Sequence, residues 1–246
     1  MKNERMRVKS DSEGESTSPI EYYSIKRRVI ELKTNIGLVA HAEKALSEKW
    51  GYVWGTFGLV LTNTLFEQKL KQYPQDVGNY RDFIISNWLN KRTADCVGLI
   101  KAYMWWDDEK NDPIYNSKQD VDSDGMFNMA KEKGDISTLP EIPGICLWKK
   151  GHIGIYMGNG RVIEARGTKY GVIQAPLKGT NSANWTHWLK CPFIEYVKDT
   201  QPEHWAQKYY DYLINKGIVI HDKRFDDIIT RGEMFALMAR IMGYKE

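Results

Sequence analysis

Two residues of this chain have the types and settings that could break an amide bond. Cys96 lies in Ala94-Asp95-Cys96-Val97-Gly98-Leu99-Ile100-Lys101, and His152 lies in Gly151-His152-Ile153-Gly154-Ile155-Tyr156. Asp95 is suited to cap a helix, and Cys96, Leu99, Ile100 and Tyr103 recur at helical spacing, which puts the cysteine in the first turn of a buried helix. The positive end of a helix dipole lowers the pKa of a thiol and raises its thiolate fraction. His152 opens a strand. In such a pair the sulfur attacks an amide carbonyl, the histidine takes the thiol proton and passes it to the leaving amine, and water releases the acyl-enzyme. The competing reading of Cys96 taken alone is a small buried hydrophobe.

A third group is needed to orient the imidazole, and hairpin arithmetic selects it. His152, Gly154 and Tyr156 share one face of their strand. If Gly158-Asn159-Gly160 is a three-residue loop with Gly160 left-handed, Met157 pairs with Arg161, Gly154 with Glu164 and His152 with Arg166. Glu164 then sits diagonally from His152 on the same face, about 7–8 Å away between backbones and within side-chain reach. A two-residue loop would send Glu164 to the opposite face. Read alone, Glu164 is a rim charge paired with Arg166. The absent side chain of Gly154 leaves room beside the pair for substrate.

Three segments in order, Tyr52-Val53-Trp54-Gly55, Asp95-Cys96-Val97-Gly98-Leu99 and Gly151-His152-Ile153-Gly154-Ile155-Tyr156-Met157-Gly158-Asn159-Gly160, resemble the NlpC family of cell-wall cysteine peptidases and amidases. The resemblance covers about residues 34–196. It implies catalytic Cys96 and His152, and it places the family's third residue twelve positions after the histidine, at Glu164, where histidine is commoner in the family. It also implies that Tyr52 helps stabilise the oxyanion, together with the Cys96 backbone N–H. No cofactor is implied.

The elements that must position these residues follow from periodicity and punctuation. Thr34 caps a helix to about Lys49, helices follow at 62–72 and 80–90, and the cysteine helix spans 95–106. Residues 107–126 read as an acidic loop. Asp120, Asp122, Asp124 and Gly125 mimic the start of a calcium loop, but position twelve is Lys131 rather than Glu, so a helix cap leading into Met126–Lys131 is the better reading. Strands follow at 145–148, 152–157 and 161–166, with one or two more within 170–178 and 192–197. Helices first and an antiparallel sheet after predict an α+β fold of papain-like order, the cysteine helix packed on the sheet. Cys146 and Cys191 read as small buried residues. No C-x-x-C spacing supports a metal set, and His41, His187, His204 and His221 read as structural or surface residues.

With 246 residues and 42% hydrophobic content, one main domain and a small appendage are expected. A net charge of +3 is too small to argue for nucleic acid, though it is compatible with an anionic wall. Three cysteines do not make a disulfide scaffold and suit a reducing compartment. Residues 1–19 read as a disordered polar tail, and 20–33 as a short basic segment of unassigned role. The N-terminus lacks the apolar core of a secretory signal, and no stretch is apolar enough to span a membrane. An enzyme that reaches the wall by another route, such as a phage or prophage endolysin let out when a holin opens the membrane, fits that pattern.

After Asp199, Pro202-Glu203-His204-Trp205-Ala206, Leu213, Gly217-Ile218, Phe225 and Ile229-Thr230-Arg231-Gly232-Glu233 resemble a single surface-layer-homology repeat. That resemblance makes Arg231 a contact for an anionic secondary wall polymer. The alternative is a two-helix cap in which Thr230 and Glu233 form a capping box. The expected domains are therefore a catalytic domain over 20–196 and a helical repeat over 199–246. The expected function is cleavage of an amide in the peptidoglycan stem peptide or of the muramoyl–alanine linkage. Two other readings stand beside it: a wall-binding protein with a spent catalytic fold, which the intact Cys, His and acid oppose, and an intracellular thiol hydrolase, which the wall-like appendage opposes.

Overall fold

The computed structural model describes residues 33–197 throughout, and from there on only single positions between 209 and 239. The chain divides into two compact units, Met1–Val197 and Lys198–Glu246. In the second unit residues 209, 210, 212 and 213, and 232, 234, 235, 238 and 239, have helical backbone. The expected tail at 1–19, most of the segment 20–33, and Arg231 lie outside the described residues.

The first unit is α+β, with helices packed on an antiparallel sheet. Its helices start where side-chain oxygens satisfy the first free N–H groups. Thr34 caps α1 (Asn35–Ser47), Thr62 caps α2 (Asn63–Gln72), and Asp95 caps α4 (Cys96–Trp105). Between them, α3 spans Arg81–Asn87. The expected acidic loop holds a cap and a short helix, since Asp122 accepts from the N–H of Gly125 at the start of α5 (Ser123–Met129). None of these helices is long and apolar enough to cross a membrane.

Two short strands, β1 (Phe57–Val60) and β2 (Arg92–Ala94), pair ahead of α4, and β3 (Trp106–Asp107) and β4 (Asp112–Pro113) pair after it. The main sheet holds β5 (Lys133–Asp135), β6 (Cys146–Lys149), β7 (His152–Gly158), β8 (Arg161–Gly167), β9 (Gly171–Pro176) and β10 (His187–Leu189). Its spatial order is β5-β10-β6-β7-β8-β9. The last strand falls at 187–189 rather than within 192–197, where only Glu195 makes an isolated bridge, to Thr34. Pro192 has no N–H to give a ladder, so pairing ends before it. Strand β5 was not foreseen; Gly134 in its centre gives no apolar alternation to read.

Every residue of α4 is buried. Ile153, Ile155 and Met157 of β7 join Cys96, Leu99 and Ile100 in one core, while Tyr156 packs on the other face of the sheet with Leu147, Val162 and Trp185. Burying Leu99 and Ile100 is worth about 1.5–3 kcal/mol each. Gly98 lets the helix start touch the chain before β1, because a Cβ there would fall on the backbone oxygen of Thr56. Gly98→Ala raises helix propensity yet is expected to destabilise the fold by about 1–3 kcal/mol. Urea unfolding checks this: an unchanged or higher midpoint would mean that the two segments separate easily.

Candidate active site

Asp95 positions the cysteine by bonding in two directions. One carboxylate oxygen accepts from the Gly98 N–H at 2.6 Å and closes the first turn of α4. The other accepts from the Gly55 N–H at 2.8 Å and fastens the Tyr52–Gly55 segment to the helix start. Cys96 is 7% exposed, and its sulfur receives the backbone N–H of Ile153, the residue after His152. The thiol therefore lies against the opening of β7. Its acidity departs from expectation: burial and then the Asp95 carboxylate push its pKa up to about 12, outweighing the N–H groups of Ile153, Val97 and Cys96. In this environment the sulfur holds its proton at neutral pH.

His152 Nε2 lies 2.6 Å from Glu164 Oε2. The carboxylate is fully buried, and its other oxygen accepts from Arg166 Nη2 at 2.5 Å and Nε at 3.2 Å. Burial pushes the Glu164 carboxyl up, but the hydrogen bonds and charges of His152 and Arg166 outweigh it and hold it below the ordinary range. The expected three-residue loop is absent. Gly158 pairs directly with Arg161, leaving Asn159-Gly160 as a two-residue turn with φ +52° and +69°. The extra residue sits instead in a bulge between Tyr156 and Gly158, beyond which Ile155 pairs with Ile163. The bulge restores the offset, so Glu164 still shares the face of His152.

The space at Gly154 is not open to substrate. A Cβ there would lie 2.9 Å from the Trp185 ring and 3.2 Å from Glu164 Cβ. Trp185 occupies that space and stacks on the imidazole, with ring centroids 5.3 Å apart and planes at 10°. Nothing in the sequence marked this residue, since Asn181–Thr186 has no periodicity and Trp185 reads as one more aromatic.

Tyr52 is buried, and burial, the Cys96 sulfur and the carboxylates of Asp95 and Asp76 all raise its pKa, so its hydroxyl stays protonated near the sulfur. Cys96 opens on a cavity of about 620 Å³ lined also by Trp54, Gly55, Lys69, Tyr73 and Gly151. A smaller one, about 290 Å³, borders His152, Glu164 and Arg166. The three aspartates of the calcium-like stretch have other partners. Asp120 pairs with Lys101, Asp122 caps α5, and Asp124 accepts from the Gly151 N–H at 2.8 Å, bracing the turn before His152. Cys146 and Cys191 are buried free thiols. His41 is enclosed by Trp50, Tyr103 and Trp106 and is held neutral, its pKa lowered to about 3 by burial and then by Lys44, Lys33 and Arg92.

No family model and no curated protein matches the chain. Solved structures similar to it include the peptidoglycan hydrolase RipB of Mycobacterium tuberculosis, at 16% identity and TM-score 0.35, covering 66% of this chain and 67% of that one. Another is the P60 domain of an antigen from M. avium subspecies paratuberculosis, at 17% identity and TM-score 0.36, covering 66% of this chain and 98% of that one. A third is the NlpC/p60 domain of the peptidoglycan hydrolase SagA, at 16% identity and TM-score 0.34, covering 63% and 97%.

Proposed function

We propose that this chain is an NlpC-type peptidoglycan hydrolase, of the phage or prophage endolysin kind, that cleaves an amide of the stem peptide or the muramoyl–alanine bond. The observation that carries the proposal is a buried Cys96 lining a cavity, its sulfur on the N–H of Ile153, which directly follows a histidine whose Nε2 is engaged by a buried carboxylate. With Nε2 given to Glu164, Nδ1 is the ring nitrogen that takes the thiol proton. Attack on the amide carbon forms a tetrahedral oxyanion, which the Cys96 backbone N–H and the Tyr52 hydroxyl stabilise; one such donor is typically worth about 10²–10³ in rate. Imidazolium then protonates the leaving amine, and water, deprotonated by His152, cleaves the thioester. The test is clearing of a cell-wall zymogram by purified protein, followed by mass spectrometry of the released fragments to identify the bond. Failure to clear walls from a range of bacteria would defeat the proposal.

The second unit is proposed to bind the wall through Arg231, whose planar guanidinium suits bidentate contact with an anionic polymer. Every proposed catalytic group precedes Lys198, so deletion from Lys198 onward is expected to leave hydrolysis of soluble stem-peptide fragments intact and to weaken capture by intact walls. A second contact adds avidity on an insoluble substrate only. Arg231→Ala is expected to reproduce the capture defect in a pull-down with purified walls. An insoluble truncated protein beside a normally binding Arg231→Ala would make the unit a structural cap.

A further inference from the structure

We propose that Arg166 is a positioning residue that fixes the tautomer of His152 by keeping Glu164 ionised. The inference builds on the thiol mechanism above, but its central observable, the protonation of one imidazole, exists whether or not the protein cuts walls.

Glu164 is 0% exposed, so water does not solvate its charge. A buried carboxylate without compensation takes up a proton. Its two oxygens are divided between two partners, Oε2 to His152 and Oε1 to Arg166, the latter through both Nε and Nη2. His152 is not a permanent cation, and Lys149 of β6, which lines the same cavity, gives its ammonium to the backbone oxygen of Ala183, so the lasting counter-charge bonded to Glu164 is the guanidinium. The same Nη2 also donates to the backbone oxygen of Asn181 at 2.6 Å, which holds the guanidinium in place. Arg166 follows Glu164 by two residues on β8, at the irregularity in pairing between Ala165 and Gly167, and from there its fork reaches back to Glu164 Oε1.

The consequence for the histidine is a matter of donors and acceptors. An ionised Glu164 can only accept, so the Nε2 facing it carries the hydrogen and Nδ1 presents a lone pair to the thiol. A protonated Glu164 can donate to Nε2. The imidazole hydrogen then moves to Nδ1, and the ring can no longer accept a proton from sulfur. An orienting residue in the wrong protonation state yields the wrong tautomer while the geometry stays intact. A histidine in place of Glu164 would not demand a permanent counter-charge; a buried glutamate does.

The sign of the pH effect follows. Arg166 lowers the Glu164 pKa, so removing it lets burial raise that pKa, and the acid limb of kcat/KM moves to higher pH. Arg166→Met is expected to shift the limb up by about one unit or more, so that at pH values below both limbs the variant is roughly tenfold less active than wild type, a gap that closes as the pH rises. Arg166→Lys, which keeps a charge without the fork, is expected to shift it less. In ¹⁵N NMR of the full chain at pH 7, wild type is expected to show a protonated Nε2 and an unprotonated Nδ1 at His152, and Arg166→Met a population with the hydrogen on Nδ1. Arg166→Gln, which can still donate to Asn181, takes over both measurements if the methionine variant does not fold. A role limited to holding the Asn181 loop would lower the melting temperature but leave both the acid limb and the ¹⁵N pattern as in wild type, and that result would overturn the proposal. A wild type that cuts no wall yet shows the ¹⁵N change on loss of Arg166 would uphold this proposal and defeat the enzymatic one.

Discussion

Cys96→Ala is expected to abolish wall hydrolysis, by at least about 10⁴-fold, with little change in stability. The sulfur is the only nucleophile proposed at the cavity mouth, and alanine removes it while leaving the Asp95 cap on the Gly98 N–H untouched. The stability cost is the lost N–H···S contact and a small void, about 1 kcal/mol. Cys96→Ser is expected to fail as well. Burial already pushes the thiol pKa up to about 12, and a hydroxyl, far less acidic, would lose its proton to His152 still less readily. The resting thiol also implies slow alkylation by iodoacetamide at neutral pH, rising steeply in alkali. A turbidity assay on purified walls with each variant, alongside thermal melts, checks these outcomes. Full lysis by Cys96→Ala removes the nucleophile assignment, and loss of activity at Cys146→Ala with a normal melt would transfer it.

The second large effect concerns the base and the group behind it. His152→Ala is expected to be nearly inactive. Glu164→Ala should lose about 10²–10⁴ in kcat, the scale on which an imidazole loses its orienter. It should also destabilise the fold by about 3–5 kcal/mol, because it leaves the Arg166 guanidinium, 20% exposed, without its counter-ion. Glu164→Gln is expected to retain more activity than Glu164→Ala, since its amide oxygen can still accept from the Nε2–H of His152. Its amide NH₂ would then face the Arg166 donors, so it should remain well below wild type. A double-mutant cycle between Glu164→Ala and Arg166→Met separates these effects: removing both should cost less stability than the sum of the single changes. Wild-type turnover by Glu164→Ala would pass the orienting role to another group.

Local signals in the sequence were sufficient for the helix starts at Thr34, Thr62 and Asp95, for the burial of the cysteine helix, and for β7 and β8, because caps and hydrophobic spacing act within a few residues. They also placed Glu164 on the face of His152, since side chains alternate strictly along a strand and only the parity of the connection matters. Where the odd residue went was decided by tertiary structure: Met157 bulges between Tyr156 and Gly158, and the turn keeps two residues. A loop and a bulge satisfy the same parity, so spacing cannot tell them apart.

The acidity of Cys96 was beyond any motif. A helix dipole is a local property and argues for a lower pKa, but desolvation depends on what packs around the sulfur, and here burial with Asp95 nearby prevails. The same holds for Trp185, which reaches His152 from an aperiodic segment and fills the space at Gly154, and for the bond from Arg166 to the backbone oxygen of Asn181. The sequence by itself determined which residue types could act and which strand face they share. The fold decided which of them are buried, which oxygen of Glu164 meets which partner, and which nitrogen of His152 faces that carboxylate.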